Sequence, residues 1–232
     1  MNLKEEIING YGYAIVKIDD LDKFKFLRDT FLDRMGLEGA RNIADLRKKI
    51  AKMKNHEVNK AMVNLLSFNE ASEIMIKSCK KIVQELCGKE LLIQRRANTI
   101  FNLPGEEQRR QWPHYELMSG ISPYTFVIWA PFHDLDDDGG VYYVPQEQSL
   151  INIKEEHNQG LVNGPTILGK IEKFKPAKLK FGEVIVFNPF ILHGNVSFDS
   201  NLARIACSVR FQSKNKPIMQ KNSDFFKLYS LN

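Results

Sequence analysis

Three residues of this 232-residue chain combine ligand chemistry with an informative spacing. His114 and Glu116 flank Tyr115, and on a strand residues i and i+2 point to one face, so an imidazole and a carboxylate placed there can meet a single metal ion. Alone the pair is a weak signal, because five histidines beside 28 acidic residues produce such a match by chance in about every second chain of this size. A third candidate ligand is His193, 77 residues after Glu116, at the end of the strand-like run Val184-Ile185-Val186-Phe187 and its extension through Leu192. Two histidines and one carboxylate leave three cis positions open on an octahedral iron, which is what iron-dependent oxygen chemistry requires for a bidentate co-substrate and dioxygen.

Such a co-substrate, an α-keto acid, carries a remote carboxylate, and a bidentate guanidinium on a neighbouring strand is an effective way to fix it inside an apolar barrel. Arg204 lies eleven residues past His193. In the run Arg204-Ile205-Ala206-Cys207-Ser208-Val209-Arg210, even spacing puts Arg204, Ala206, Ser208 and Arg210 on one face, and two arginines with a serine inside a barrel need anionic company. Asn98, on the strand ahead of the His-x-Glu segment, is placed either to reach the co-substrate or to bond to backbone.

The elements that must position these residues are of two kinds. Up to about residue 90 the chain reads as helical with one short strand, Tyr13 to Ile18, preceded by an opening helical turn from Leu3 to Asn9 and the breaker Gly10-Tyr11-Gly12. Asp20 or Asp22 can cap a helix whose Phe24, Leu27, Phe31 and Leu32 recur at three- and four-residue spacing up to Gly36. A further helix is predicted around Ile43 to Met53, and one or two between Glu57 and Cys87, stopped by Gly88. From Leu91 the pattern changes to short β-type runs: Leu91 to Phe101, Tyr124 to Trp129, Val141 to Val144, Lys178 to Lys180, Glu183 to Phe187 and Ala203 to Phe211. The expected fold is mainly β with helical additions, a jelly-roll, cupin-like core over 91–212 preceded by a helical third over 1–90 and followed by a tail over 213–232. No linker divides it, so one domain over 1–232 is expected.

Composition excludes several classes. The longest nearly unbroken apolar stretch, Tyr124 to Phe132, is nine residues, against roughly 20 for a helical membrane span. The start, Met1-Asn2-Leu3-Lys4-Glu5-Glu6, is unlike a secretory signal, so a cytoplasmic location and no membrane partner are expected. Cys79, Cys87 and Cys207 show no CxxC spacing and suit buried reduced thiols. A net charge of +5 favours anionic partners, but the basic pairs are dispersed and not interleaved with aromatics, which argues against nucleic acid. Arg95, Arg96, Arg109 and Arg110 flank the predicted mouth, either as solvated surface or as contacts to an anionic substrate. Oligomeric state is not legible.

With these residues in place, the sequence resembles the Fe(II)/2-oxoglutarate oxygenases, in their phytanoyl-CoA dioxygenase-like branch. The likeness runs from Pro113-His114-Tyr115-Glu116 through Trp129-Ala130-Pro131-Phe132-His133-Asp134, Asp138-Gly139-Gly140 and Val144-Pro145-Gln146-Glu147-Gln148-Ser149 to His193-Gly194 and Arg204. It is closer still to small oxygenases of surface-carbohydrate biosynthesis clusters, in Gln94-Arg95-Arg96-Ala97-Asn98, Leu103-Pro104, Gly120-Ile121-Ser122-Pro123 and the paired arginines 204 and 210. The resemblance covers roughly residues 90–212. It implies Fe(II) held by His114, Glu116 and His193, 2-oxoglutarate held at Arg204 with Asn98, Ser208 and Arg210 as further candidates, and dioxygen as oxidant. Two departures stand out: Glu116 replaces the commoner Asp, and Ala206 stands where relatives have the Ser of an Arg-x-Ser pair, leaving open what contacts the carboxylate beside Arg204.

Other residues carry plainer expectations. His133 reads as structural, with substrate contact as the alternative, and His56 and His157 as exposed. Asp134-x-Asp136-x-Asp138-Gly139 imitates a calcium loop, but its twelfth position is Pro145, so a solvated turn is expected. Loops from Glu106 to Trp112 and Gln148 to Lys173 are expected to set substrate choice, with a nucleotide-linked or phosphorylated sugar as the leading substrate class. Two other functions fit the ligands: a cupin-type isomerase or lyase without 2-oxoglutarate, which has no need of Arg204, and a non-catalytic binding barrel.

Overall fold

The computed structural model describes residues 2–35, 43–66, 68–104, 113–136, 141–159, 176–195, 201–218 and 225–231. Helix α1, Leu3–Ile8, is capped by Asn2, whose side chain accepts from the Glu5 N–H. Gly12, at φ +84°, then turns the chain into β1, Tyr13–Lys17. A Cβ there would lie 2.4 Å from Ile191 Cδ1, so only glycine allows this approach. Asp20 caps α2, Leu21–Arg34, which buries Phe24, Leu27 and Phe31 as the spacing predicts.

Helix α3, Ile43–Ala51, is followed by three helices where one or two are expected: α4, Asn55–Leu66; α5, Ala71–Ser78; and α6, Lys80–Cys87. The extra break has a hydrogen-bonding cause. The Ser78 carbonyl accepts from the Asp19 and Asp20 N–H groups instead of continuing the helical ladder, and the Asp19 carboxylate accepts from the Lys81 N–H at the start of α6. Gly88, at φ +80°, ends α6.

Strands β2, Glu90–Gln94, and β3, Asn98–Asn102, split the run expected as one strand. Both pair antiparallel with the long β8, Arg204–Ser213, at opposite ends of it. The chain leaves the ladder at Arg95, whose N–H and side chain donate to the Phe225 and Phe226 carbonyls. With β4, Phe126–Pro131, β6, Glu183–Phe187, and β9, Phe226–Ser230, they form a seven-stranded antiparallel sheet ordered β1-β6-β4-β8-β2-β9, with β3 also on β8. Strand β9 lies in the stretch expected as a tail. A second sheet pairs β5, Val141–Tyr143, with β7, His193–Asn195. Of the run at Lys178 to Lys180, Leu179 alone makes a bridge, to Leu135.

The expected loop from Gln148 begins instead inside α7, Gln146–Gln159. Pro145 precedes it and no Gly or Pro interrupts it, which suits a helix better than a loop. Residues 160–173 of that stretch, the segment 105–112 and the turn at 163–165 lie outside the described residues.

The large sheet sorts its side chains by alternation. Ile128, Ala130, Val184, Val186, Val209 and Phe211 share one buried cluster with Phe24, Leu27 and Phe31 of α2 and Met75 and Ile76 of α5. On the other face Val127, Trp129, Ile185, Phe187 and Ala206 pack with Val141 and Tyr143 of the small sheet. The site lies on that second face. Among the described residues no helix is long and apolar enough to cross a membrane.

Candidate active site

His193 is fixed from both sides. On one it pairs with Tyr143 across β5 and β7; on the other it bridges His114, with each backbone N–H donating to the other's carbonyl at 2.9 and 3.1 Å. The two rings are thereby brought to a centroid separation of 4.3 Å. The chain after His114 is not the regular strand expected from the i, i+2 spacing. Tyr115 is extended and Glu116 opens a 3-10 turn, Glu116–Ser119, that exits through Gly120 at φ +72°. One bridge is enough to anchor His114, and the turn carries Glu116 inward, where Oε1 lies 3.7 Å from His193 Nε2. One ligand-type atom from each of His114, Glu116 and His193 lies within 4.8 Å of the others.

The electrostatics suit ligation. Burial, with His114 beside it, pushes the His193 ring down to about 3, so the imidazole is neutral at physiological pH. Its Nδ1 lies 2.9 Å from the Ile191 carbonyl, an acceptor only, which assigns the proton to Nδ1 and the lone pair to Nε2, the atom facing Glu116. Tyr143 stacks on the ring at 5.7 Å and Phe187 sits at 4.7 Å, locking its orientation. Glu116 is 2% exposed. Burial alone would raise its carboxyl, but the Arg210 guanidinium, through its charge and its hydrogen bonds, outweighs that and holds it below the usual carboxylate range.

Ser208 and Arg210, on the shared face of β8, line the cavity, whereas Arg204 is not among its lining residues and reaches it through Asn195. Arg204, 1% exposed, donates from Nη2 to Asn102 Oδ1 and to Asn195 Oδ1, the latter at 2.7 Å, and lies 6.0 Å from the Trp129 ring. Asn98, Ser208 and Arg210 line one cavity with His114, Glu116 and His193. Arg210, a co-substrate candidate from sequence, has its guanidinium engaged elsewhere: Nε and Nη2 donate to both oxygens of Glu116 at 2.6 and 2.9 Å, and Nη1 to Gln94 Oε1 at 3.3 Å. Asn98 accepts from Gln94 Nε2 at 2.9 Å, so it bonds to a side chain and not, as the plainer expectation had it, to backbone.

Sequence reasoning missed Gln94, Asn102, Asn195 and Tyr143. Asn102 sits directly opposite Arg204 in the β3–β8 register, a signal available only once that pairing is known. Tyr143 lines the cavity, and its buried hydroxyl has no hydrogen-bond partner among the described residues.

Among the described residues neither His56 nor His133 lines the cavity. His133 is buried and structural, its Nε2 accepting from the Ile205 N–H, and His56 is exposed. The side chain of His157 lies outside the described residues, as do Arg109, Arg110 and 137–140. Asp134 accepts from the Phe181 N–H and, with Asp136, pairs with Lys180 at the surface. Arg95 and Arg96 are exposed. All three cysteines are free thiols. A larger apolar groove of about 500 Å³, lined by Ile8, Leu86, Tyr124, Phe126, Leu150 and Phe190 among others, shares no residue with the cavity of His114, Glu116 and His193 and has no His or acid among its described lining residues.

No protein-family model and no curated protein matches this chain. Solved structures do. The chain resembles ThoJ, a non-haem monooxygenase in complex with nickel, at a TM-score of 0.58 and 12% identity over 97% of this chain and 86% of that one. It resembles SnoK, a non-haem α-ketoglutarate-dependent carbocyclase from nogalamycin biosynthesis, at 0.55 and 12% over 99% and 96%. It also resembles HygX from Streptomyces hygroscopicus, with nickel and 2-oxoglutarate bound, at 0.56 and 8% over 97% and 93%. At such identities the likeness is one of fold: the chain is folded as the non-haem iron, 2-oxoglutarate-dependent oxygenases are, and it carries a His-Glu-His cluster.

Proposed function

We propose that this chain is an Fe(II)- and 2-oxoglutarate-dependent oxygenase that hydroxylates or further oxidises a small anionic substrate. The observation that carries the reading is the convergence of His114, Glu116 and His193 to within 4.8 Å in a buried cavity that also holds Asn195, the partner of Arg204. The donor set fits the ion: a neutral imidazole with its lone pair directed inward, a second imidazole, and a carboxylate kept ionised. Bound there, iron with 2-oxoglutarate and dioxygen supplies oxidative decarboxylation coupled to oxidation of a C–H bond.

The chain's own residues do the rest. The Ile191 carbonyl and the Tyr143 ring hold His193 in its ligating tautomer. Arg204, steadied by Asn102 and Asn195, receives the remote carboxylate of the co-substrate, and the Tyr143 hydroxyl, a buried donor on the cavity wall, is placed to join it where relatives have the serine that Ala206 replaces. Ser208 lies on the same wall. Val127, Trp129 and Phe187 keep the cavity poor in water. Resembling enzymes that transfer halide have a small residue in place of the metal carboxylate; Glu116 is retained here, so the product is oxygenated or desaturated and not chlorinated.

We read the two sheets as the major and minor sheets of a jelly-roll in a single domain, 1–232, with the helices of the first ninety residues as support. The net charge of +5 and the exposed Arg95 and Arg96 favour an anionic substrate, with a phosphorylated or nucleotide-linked sugar as the class to test first. The free thiols suit a reducing, cytoplasmic setting. Iron-loaded protein should convert 2-oxoglutarate to succinate in step with a substrate from such a panel and place labelled dioxygen in hydroxylated product. Conversion without succinate, or a chlorinated product in the presence of chloride, would overturn the reading.

A further inference from the structure

The carboxylate of the triad is already occupied by a cation of the protein itself. Arg210 grips Glu116 by both oxygens, Nε to Oε2 at 2.6 Å and Nη2 to Oε1 at 2.9 Å, in the parallel two-bond geometry that makes arginine–carboxylate pairs directional. The guanidinium is itself held. Gln94 Oε1 accepts from the Arg210 backbone N–H at 3.1 Å and from Nη1 at 3.3 Å, and Gln94 Nε2 donates on to Asn98 Oδ1 at 2.9 Å. Gln94 is 3% exposed and sits on β2 beside β8, so the series Glu116–Arg210–Gln94–Asn98 joins the site to three strands.

A carboxylate has about four lone-pair positions, two on each oxygen. The two-bond grip takes one on each, and the guanidinium lies along the direction between the oxygens, where a chelating metal ion would have to sit. One outer position remains on each oxygen, and of the two oxygens it is Oε1 that lies 3.7 Å from His193 Nε2. The geometry points to Arg210 as a positioning residue that confines Glu116 to ligation through the single oxygen Oε1, with Gln94 locking the arginine in place; this rests on the metal-centre reading above. The longer arm of glutamate, which allows more rotamers than aspartate, gives the restraint its purpose: without it the carboxylate is free to swing or to chelate through both oxygens and fill a position that a bidentate co-substrate needs.

The test uses Co(II) as a spectroscopic stand-in, read by its visible d–d absorption, by titration of metal affinity and by the crystal structure of the loaded protein. In native protein the expected result is one Co(II) per chain with Glu116 bound through one oxygen and Arg210 still bonded to the carboxylate. Arg210→Met should still take up one Co(II), with a shifted d–d spectrum and Glu116 rotated or chelating. Arg210→Lys keeps the charge but not the two-bond grip, so its spectrum should resemble that of Arg210→Met more than native. Gln94→Glu, which keeps an acceptor for the Arg210 N–H, and Gln94→Leu, which removes it, both leave the Arg210–Glu116 ion pair in place; in folded protein Gln94→Leu should shift the spectrum in the same direction by a smaller amount than Arg210→Met. Spectra of Arg210→Met and Gln94→Leu indistinguishable from native, or native protein with both Glu116 oxygens on the metal and Arg210 released, overturn the assignment. Native protein that binds Co(II) no better than a Glu116→Ala, His193→Ala control overturns the metal centre, and the Arg210 role falls with it.

Discussion

On β8, Val209 and Phe211 enter the layer shared with Phe24 and Phe31 of α2, while Ser208 and Arg210, alternating with them, enter the cavity with Glu116 and His193. Both faces are buried, yet they are held by different physics. The helix-covered face is apolar and its cohesion is packing, as in Phe132, fully buried with its ring 5.6 Å from Phe24 and 5.4 Å from Phe31. The cavity face also carries charged groups, and each is tolerated because a polar partner meets it: Glu116 by the Arg210 guanidinium, Arg204 by the amide oxygens of Asn102 and Asn195. A strand's period of two lets one sheet carry a stabilising surface and a reactive one without either intruding on the other.

That contrast predicts which substitutions separate folding from function. The largest effect on the cavity face should come from His193→Ala, which removes a ligand; metal affinity should fall by more than about a hundredfold, since even outer-shell partners of a ligand are worth 10–100-fold. Metal analysis of folded protein checks this, and a variant retaining full occupancy would show that the triad is misassigned. Phe132→Ala should do the opposite, lowering stability by about 3–5 kcal/mol in denaturant unfolding while the fraction that stays folded binds metal normally. A loss of metal affinity in that fraction would mean the two faces are coupled.

Arg204→Met comes next. If Arg204 receives the co-substrate carboxylate as proposed, its removal should raise the 2-oxoglutarate requirement by at least about a hundredfold, with iron binding preserved. Should Arg210→Met raise it more than Arg204→Met, the arginines have been given each other's roles. Ser208→Ala should be milder, about 1 kcal/mol in co-substrate affinity at most, because it deletes one neutral hydrogen-bonding group. Smallest of all is the expected response of Cys207, on the packed side of the same strand. Burial pushes its thiol up to about 12, so it should stay unlabelled by thiol reagents in folded protein and react only on unfolding.

Much of this was legible without coordinates. The even-spaced face of β8, the capping of α2 by Asp20 and the position of β1 and β6 follow from residue types at short separations, where backbone periodicity decides which side chains share a face, whereas His114, Glu116 and His193 are singled out by residue type and resemblance and not by the strand geometry expected for the first two. The errors fall where long-range pairing overrides local pattern. Leu91 to Phe101 reads as one strand, but Arg95 is drawn to β9 and divides it. Residues 213–232 read as a tail, but they supply β9, Phe226–Ser230, which covers the far edge of β2.

The sequence by itself therefore determined the chemistry on offer: which groups can ligate, which can hold a carboxylate, and which strand carries them. Only the tertiary structure decided the allocation of partners. That Glu116 leaves its strand for a 3-10 turn, that Arg210 closes on Glu116 while Arg204 turns to Asn102 and Asn195, and that the buried Tyr143 hydroxyl has no partner among the described residues are set by contacts between segments up to 102 residues apart in sequence. Pairing of buried charges depends on distances of a few ångströms between elements, and no local periodicity encodes those distances.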